Sequence, residues 1–525
     1  MSTERTAARG AAWTIGSSLL SRGLSLVGTL LLIRFVVPTD YGEVSAATVV
    51  VGTINQITTL GVGIYVITNR GATREDLFHA TFIHATLGMV AFVALLVLGR
   101  PLSPFFDTPH MFLYVPGLAL SALTDRITFM PERVLIRGLR FRRVSLIRSI
   151  AELTYAASSL AAAVLGLGGM SIVVGNLARS AVRALGMVGA VDRRDWLGFT
   201  RIRLAIIKRI AGYGFAVTLS GLANFASRRW DNLLVARFFG PAVMGTYNLA
   251  YNLADIPAIH IGEQITDVMQ ASFAHMTTGQ RRAALVRSLG VIGLVTFPIA
   301  VGLGVVAPTL ADLFLDRKWA GAGMMLLMLS TLSIARPIVG ATSSFLLLER
   351  GPRLFIGLEW LTLAGMLGLI ATIGRISPIW TCAAVGIAFL ARALGGIYLT
   401  RSVSGIPMWT FFSRLIPPLL ACVPLAAVVL GTRVLLGRAG LHTPWLVLAL
   451  QILTGASAYV GSAFLLSPAS ARDLLGMVRD RRRRSLTPTS SSGSGQGSGP
   501  GPGPDAAPAA SAGPPASAPP TTVAG

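Results

Sequence analysis

The sequence predicts an all-α polytopic membrane protein with about fourteen transmembrane helices. Three observations lead there. First, of 525 residues 53% are hydrophobic and only 13% charged, with a mean hydropathy of +0.67. A soluble domain carries about 25% charged residues, so the main solvent of this chain is lipid. Second, apolar runs of spanning length recur from one end of the chain almost to the other. Third, a phrase is repeated. Arg34-Phe35-Val36-Val37-Pro38, followed by Gly42, returns as Arg237-Phe238-Phe239-Gly240-Pro241, followed by Gly245. Arg, Phe, Pro and Gly keep their offsets, and each copy closes an apolar segment. Such a repeat indicates two related bundles with a pathway between them.

A spanning helix needs about 20 mostly apolar residues. The candidate segments are 11–37, 43–68, 78–99, 110–130, 145–165, 170–190, 211–237, 243–272, 288–308, 321–347, 354–374, 379–400, 414–436 and 444–466. Segments 170–190 and 243–272 are the most polar. The opening segment, 11–37, is too long for a secretory h-region and lacks a small-residue cleavage site. An even number of spans puts both termini on one side. Arginines concentrate in alternate connections, around Arg70 and Arg74, 133–143, 193–209, 281–287, and Arg350 and Arg353. The positive-inside rule makes that side the cytoplasm, and a composition rich in arginine, alanine and glycine with only two lysines, Lys208 and Lys318, points to a bacterial plasma membrane.

The longest basic connection, 191–210, divides residues 1–190, a six-helix bundle, from residues 211–400, a second one. Helix one then matches helix seven and helix two matches helix eight. Six being even, the bundles run parallel about a pseudo-twofold axis along the membrane normal. Residues 401–466 hold two further helices, and 467–525 form a basic tail. Segment 309–320 fits a short amphipathic helix at the outer surface. Beyond Ser485 the chain is Ser, Gly, Pro and Ala and cannot bury a core. Arg479 and Arg481 to Arg484 sit where an anionic inner leaflet attracts them.

The net charge of +23 raises the question of nucleic acid. The arginines lie in short gaps between apolar runs, so membrane topology accounts for them and no nucleic-acid partner is expected. The sequence contains no Gly-x-x-x-x-Gly-Lys-Ser/Thr, no His-Glu-x-x-His and no Gly-x-Ser-x-Gly. Six histidines and two cysteines show no ligand spacing. No catalytic residue, metal or cofactor is expected, and no large extramembrane loop offers room for an enzyme domain.

Ionisable residues at membrane depth are costly, so they face a cavity or a partner. Helix one carries Ser18, Arg22, Ser25 and Thr29 on one face, and helix two Ser45, Thr48, Asn55 and Thr59. Helix seven carries Ser220, Asn224, Arg228 and Asp231, with Arg229 beside them. Helix eight carries Asn248, Asn252 and Asp255, then Glu263. Together these faces outline a hydrated cationic cavity of Arg22, Ser25, Asn55, Asn224, Arg228, Arg229, Asp231, Asn248 and Asn252. Arg336, central in helix ten, is a further candidate. Two alternatives stay open: Arg228 and Asp231 neutralising one another, and Arg22 pairing with Asp255. Asp255 and Glu263 are candidate ion-coupling carboxylates. Arg126, late in helix four, reads as interfacial.

Helix count, repeat and the phrase Arg34-Phe35-x-x-Pro38-x-x-Tyr41-Gly42 resemble the polysaccharide exporters of the multidrug/oligosaccharidyl-lipid/polysaccharide superfamily. Leu139-Arg140-Phe141-Arg142-Arg143, Arg229-x-Asp231 and Gly245-x-Tyr247-x-x-Ala250 add to the likeness, which covers roughly residues 8–466. The resemblance implies a fold like that of multidrug exporters. It also implies a flippase that carries an undecaprenyl-pyrophosphate-linked oligosaccharide across the plasma membrane for surface polysaccharide. Its partners would be that substrate, membrane lipids, and a polymerase and glycosyltransferases. A cationic cavity suits a pyrophosphate, because the arginine fork makes paired hydrogen bonds. A lipid II flippase, a cation-coupled drug exporter and a non-transporting scaffold are the other readings.

Overall fold

The computed structural model describes residues 28–68, 73–138, 140–192, 196–198, 200–255, 269, 272–273, 276–441 and 443–476. Arg22, Ser25 and Glu263, expected in the cavity or in coupling, lie outside them. Every regular element among the described residues is helical.

The first repeated phrase ends in Val37, extended at φ −84° and ψ 153°, with Pro38 at the first helical position. A proline disfavours helical geometry in the residue before it, and its missing N–H costs nothing at a helix start. Helix α1, Pro38–Thr58, follows. Thr48, Thr53 and Thr58 each donate to the carbonyl four residues earlier at 2.8 Å. Their hydroxyls therefore need no water inside an apolar medium.

The expected single span 43–68 is in fact broken. Leu60 and Gly61 take positive φ, 44° and 53°, and α2 restarts at Val62–Thr68. Arg126 explains how a broken helix survives there. Its guanidinium donates to the backbone carbonyls of Asn55 and Thr58, each at 3.0 Å, and to the Asn55 Oδ1 at 2.6 Å. A cation thus satisfies carbonyls that the helix end would orphan. Arg126 is 8% exposed and also contacts His84 Nδ1 at 3.2 Å, so it is not interfacial as the sequence suggested. Substituting Arg126→Leu should cost about 2–4 kcal/mol, the sum of charged hydrogen bonds lost and carbonyls stranded. Thermal unfolding of the purified variant measures this, and an unchanged midpoint would contradict the capping role.

A capping box of Thr73 and Asp76 starts α3, Arg74–Phe105. Then come α4 Met111–Arg137, α5 Phe141–Val164 and α6 Met170–Gly189. The helical stretch Leu204–Ala254 is interrupted at Gly240 (φ 80°, ψ 173°). With Pro241 it makes two helices, α7 over 204–239 and α8 over 241–254. Helix α7 begins at 204, so the supposed linker 191–210 is partly helix. Described residues in the rest of it are docked. Trp196 is 6% exposed in one core with Leu77 and Met130, and the Arg203 backbone N–H meets His79 Nε2 at 2.8 Å. Arg203 also pairs with Glu75 at 3.1 Å, and Arg209 pairs with Asp76.

The second half continues with α9 Thr278–Phe314, α10 Ala322–Leu332, α11 Ala335–Arg350, α12 Pro352–Thr372 and α13 Pro378–Ser404. Helices α14 Met408–Leu420, α15 Cys422–Arg438 and α16 Pro444–Leu466 complete it, with 468–476 also helical. The surface helix expected at 309–320 is absent: α9 runs through to Phe314, leaving only a short turn, Arg317–Trp319. Trp319 is buried, not surface-lying. It donates to the Ile33 carbonyl at 3.1 Å and meets the Tyr41 ring edge-on.

Eight helical stretches among the described residues are long and apolar enough to cross a membrane. Large apolar side chains face outward on them, among them Val97, Leu361 and Val423, as lipid requires. Helices α1, α4, α5 and α7 are not among them, because they carry more polar and charged residues, among them Asn55, Arg126, Arg148 and Arg229.

The two copies of the repeated phrase pack on each other reciprocally. A Cβ on Gly42 would lie 1.8 Å from the Pro241 carbonyl oxygen, and one on Gly245 would lie 2.1 Å from that of Pro38. From there α1 runs antiparallel along α7. Gly52 faces Phe225, Trp230 donates to Thr53 Oγ1 at 3.0 Å, Gln56 sits on Gly221, and Gly61 meets Gly214.

Candidate functional site

The turn at Gly240 folds α8 back along the end of α7, so residues before and after the turn meet in antiparallel register. Asp231 is fully buried and its carboxylate accepts from Tyr247 Oη at 2.7 Å. It also accepts from the Asn232 backbone N–H at 2.9 Å and from Asn232 Nδ2 at 3.0 Å. Asn248 Nδ2 donates to Asn232 Oδ1 at 2.9 Å, Asn252 Nδ2 to Asn248 Oδ1 at 2.6 Å, and Arg229 Nη1 to Asn252 Oδ1 at 3.4 Å. This unbroken polar chain leads from a buried carboxylate to a half-buried arginine. Each buried member has partners, as a low-dielectric interior demands.

Asp231 makes no ion pair among the described residues. Its tyrosine and asparagine partners, not neutralisation by Arg228, hold it. The polar stripe of α7 therefore splits. Asn224 is exposed and Arg228 and Arg229 are half-buried, whereas Asp231 is covered by α8. Arg228 lies near Tyr251.

Asp255 is also committed. Arg336 from α11 pairs with it and donates to Tyr251 Oη at 2.6 Å. The guanidinium lies 4.8 Å from the Tyr251 ring centroid and 4.4 Å from that of Phe389, so cation–π attraction adds to the ion pair. Arg336 is thus the ion-pair partner of Asp255 among the described residues, while the pairing with Arg22 that the sequence left open involves a residue outside them. Asn55 is half-buried and held by Arg126 in a separate cluster.

The structure thus joins Asp231, Asn248, Asn252 and Arg229 in one chain, places Asp255 with Arg336, and sets Asn55 apart. Sequence reasoning missed Asn232, Tyr247, Tyr251 and Phe389 as members. Tyr247, Tyr251 and Asp255 follow at i, i+4, i+8 on one face of α8, and that spacing was the available signal. Among the described residues no three His, Cys, Asp or Glu side chains gather as metal ligands. The two cysteines, Cys382 and Cys422, are free and buried.

Fold and site define a multi-pass membrane protein in which the two copies of the repeated phrase pack together beside a polar chain that ends in an arginine. Its fold is that of the multidrug/oligosaccharidyl-lipid/polysaccharide superfamily. It superposes on a lipid II flippase, MurJ, in an inward closed conformation, with TM-score 0.69 at 14% identity. That match covers 87% of this chain and 98% of the other. An inward-facing multidrug exporter of the superfamily gives TM-score 0.60 at 15% identity, over 73% and 94% of the two chains. The chain belongs to the polysaccharide biosynthesis protein family, whose family model matches residues 31–323. The succinoglycan biosynthesis transport protein ExoT of Rhizobium meliloti is 23% identical over 92% of this chain and 97% of its own. The lipopolysaccharide biosynthesis protein WzxC of Escherichia coli is 24% identical over 66% and 71%. The teichuronic acid biosynthesis protein TuaB of Bacillus subtilis is 24% identical over 81% and 87%.

Proposed function

We propose that this chain is a flippase of the bacterial plasma membrane, moving an undecaprenyl-pyrophosphate-linked oligosaccharide outward by alternating access. The observation that carries the proposal is the accessible stripe Asn224, Arg228 and Arg229, with Asn252, beside the seam of the two repeats. The arginines supply fixed positive charge for a pyrophosphate, and the amides supply uncharged polar wall for sugars. Arg22 and Ser25 of helix one complete the cavity in this reading. The relatives' roles in succinoglycan, lipopolysaccharide and teichuronic acid biosynthesis support a surface-glycan precursor as the cargo.

In this proposal residues 1–190 and 211–400 rock as two bundles, with both termini in the cytoplasm and 401–466 added outside the repeat. Coupling at Asp255 requires Arg336 to release it; Glu263 is the other carboxylate proposed for coupling. A polymerase and glycosyltransferases that consume and supply the substrate are the proposed partners. A drug exporter for cationic compounds is disfavoured, since arginines on the accessible stripe repel such cargo.

Extraction of polyprenyl-linked sugars from a deletion strain, read by mass spectrometry, tests the proposal. A complete lipid-linked oligosaccharide should accumulate while surface polymer disappears. Normal lipid pools with altered drug tolerance would overturn it, and arrest of growth with accumulated lipid II would reassign the cargo.

A further inference from the structure

Away from the seam, a shallow pocket of about 530 Å³ opens on the arginine-rich face of the protein. It is built where α9 and α14 begin and where segment 468–476 folds against them. Arg282, Arg287 and Arg414 line it with a single carboxylate, Asp473. Asp473 reaches Arg287 Nε at 3.6 Å and Arg414 Nη1 at 3.4 Å. One acid between two arginines positions them without neutralising the three. Arg282 Nε is buried with no hydrogen-bond partner among the described residues. Val286 and Ile406 give the pocket an apolar wall. Gly279 and Thr410, in the first turns of α9 and α14, also line it, so both helix dipoles add positive potential there. Trp409 beside it is 72% exposed, the amphipathic type of side chain that settles at headgroup depth.

We infer that this pocket holds the phosphate of an anionic glycerophospholipid from the leaflet on the arginine-rich side. Charge complementarity carries the inference: three guanidiniums, two helix starts and one carboxylate call for an anion, and the apolar wall calls for an acyl chain. The pocket uses α14 and 468–476, both outside the internal repeat, and shares no residue with the stripe on α7. Its occupant is therefore a resident lipid and not the transported one. The lipid ties α9, α14 and the segment after α16 to one leaflet, just before the basic run that begins at Arg479.

The test uses full-length protein in detergent micelles, with dioleoyl phosphatidylglycerol, dioleoyl phosphatidylcholine and undecaprenyl pyrophosphate as probes. Native mass spectrometry and the unfolding midpoint are the readouts. Phosphatidylglycerol should be retained and raise the midpoint, while phosphatidylcholine should do neither. Arg282→Gln with Arg414→Gln should weaken phosphatidylglycerol binding about tenfold or more, as loss of two interfacial charges implies. Asp473→Asn should tighten it about threefold, because a competing carboxylate is gone. That opposite sign cannot arise from a folding defect. Equal retention of the two phospholipids, or unchanged affinity in both variants, would overturn the inference. So would undecaprenyl pyrophosphate displacing phosphatidylglycerol from the wild type, since the site would then serve the cargo.

Discussion

Gly42→Leu and Gly245→Leu should each prevent recovery of a monodisperse protein, and even Gly42→Ala should destabilise it by about 1–3 kcal/mol. The reason is backbone and not side chain. At both glycines the nearest obstacle is a carbonyl oxygen of the opposite repeat, Pro241 for Gly42 and Pro38 for Gly245, at 1.8 Å and 2.1 Å from a built Cβ. No rotamer change clears a carbonyl, so α1 must move off α8 as a body. Gly212 on α7 is the control, since nothing lies within 4 Å of its Cβ. Gly212→Ala should be neutral or stabilising by up to about 1 kcal/mol, as for an exposed helical glycine. Fluorescence-detected size exclusion after heating separates these outcomes. A Gly42→Ala protein as stable as wild type would show that the reciprocal packing carries no energy.

Arg336→Gln should cost about 3–5 kcal/mol, because it strands the Asp255 carboxylate in a buried site. Asp255 is 6% exposed, and the pair's other neighbours, Tyr251 and Phe389, offer an aromatic face suited to a cation only. The double variant Asp255→Asn with Arg336→Gln should recover much of that loss, since no charge then remains buried. Unfolding midpoints of the four proteins in the cycle measure the coupling. Additive losses would mean that the two side chains do not act as a pair. Surface polysaccharide in cells carrying the double variant gives a second reading. Restored stability without restored polymer would support a coupling role for Asp255 beyond its structural one.

What the sequence revealed and what it hid divide along physical lines. Helix positions were legible because lipid imposes long apolar runs and because Pro38, Gly240 and Pro241 punctuate them. The offset of the two repeated phrases also announced that their copies are equivalent, and the reciprocal contacts of Gly42 and Gly245 follow from that equivalence. Hidden were the features that depend on which helix lies next to which. Asp231 shares a helical face with Ser220 and Asn224, and periodicity alone assigns all three to one cavity. It is buried because α8 folds back over the last turns of α7, bringing Tyr247 onto it. Gly61 and Gly63 interrupt that apolar run in the sequence, but what makes the break after Thr58 tolerable was hidden for a similar reason: the cation, Arg126, comes from α4. The docking of Trp196 likewise depends on α3 and α4, so its connection reads as a free linker in sequence alone.

The most direct test of the central claim is transport by the purified protein in liposomes. A lipid-linked oligosaccharide would be placed in one leaflet, and its sugar followed by cleavage with a glycosidase that does not cross the membrane. Wild-type protein should render the sugar accessible from the opposite side, and Arg228→Glu with Arg229→Glu should reduce that rate about tenfold or more, as reversal of two charges facing a pyrophosphate implies. A variant of normal stability that moves the lipid as fast as wild type would contradict the cationic seam, and a wild type that moves none would contradict the flippase itself.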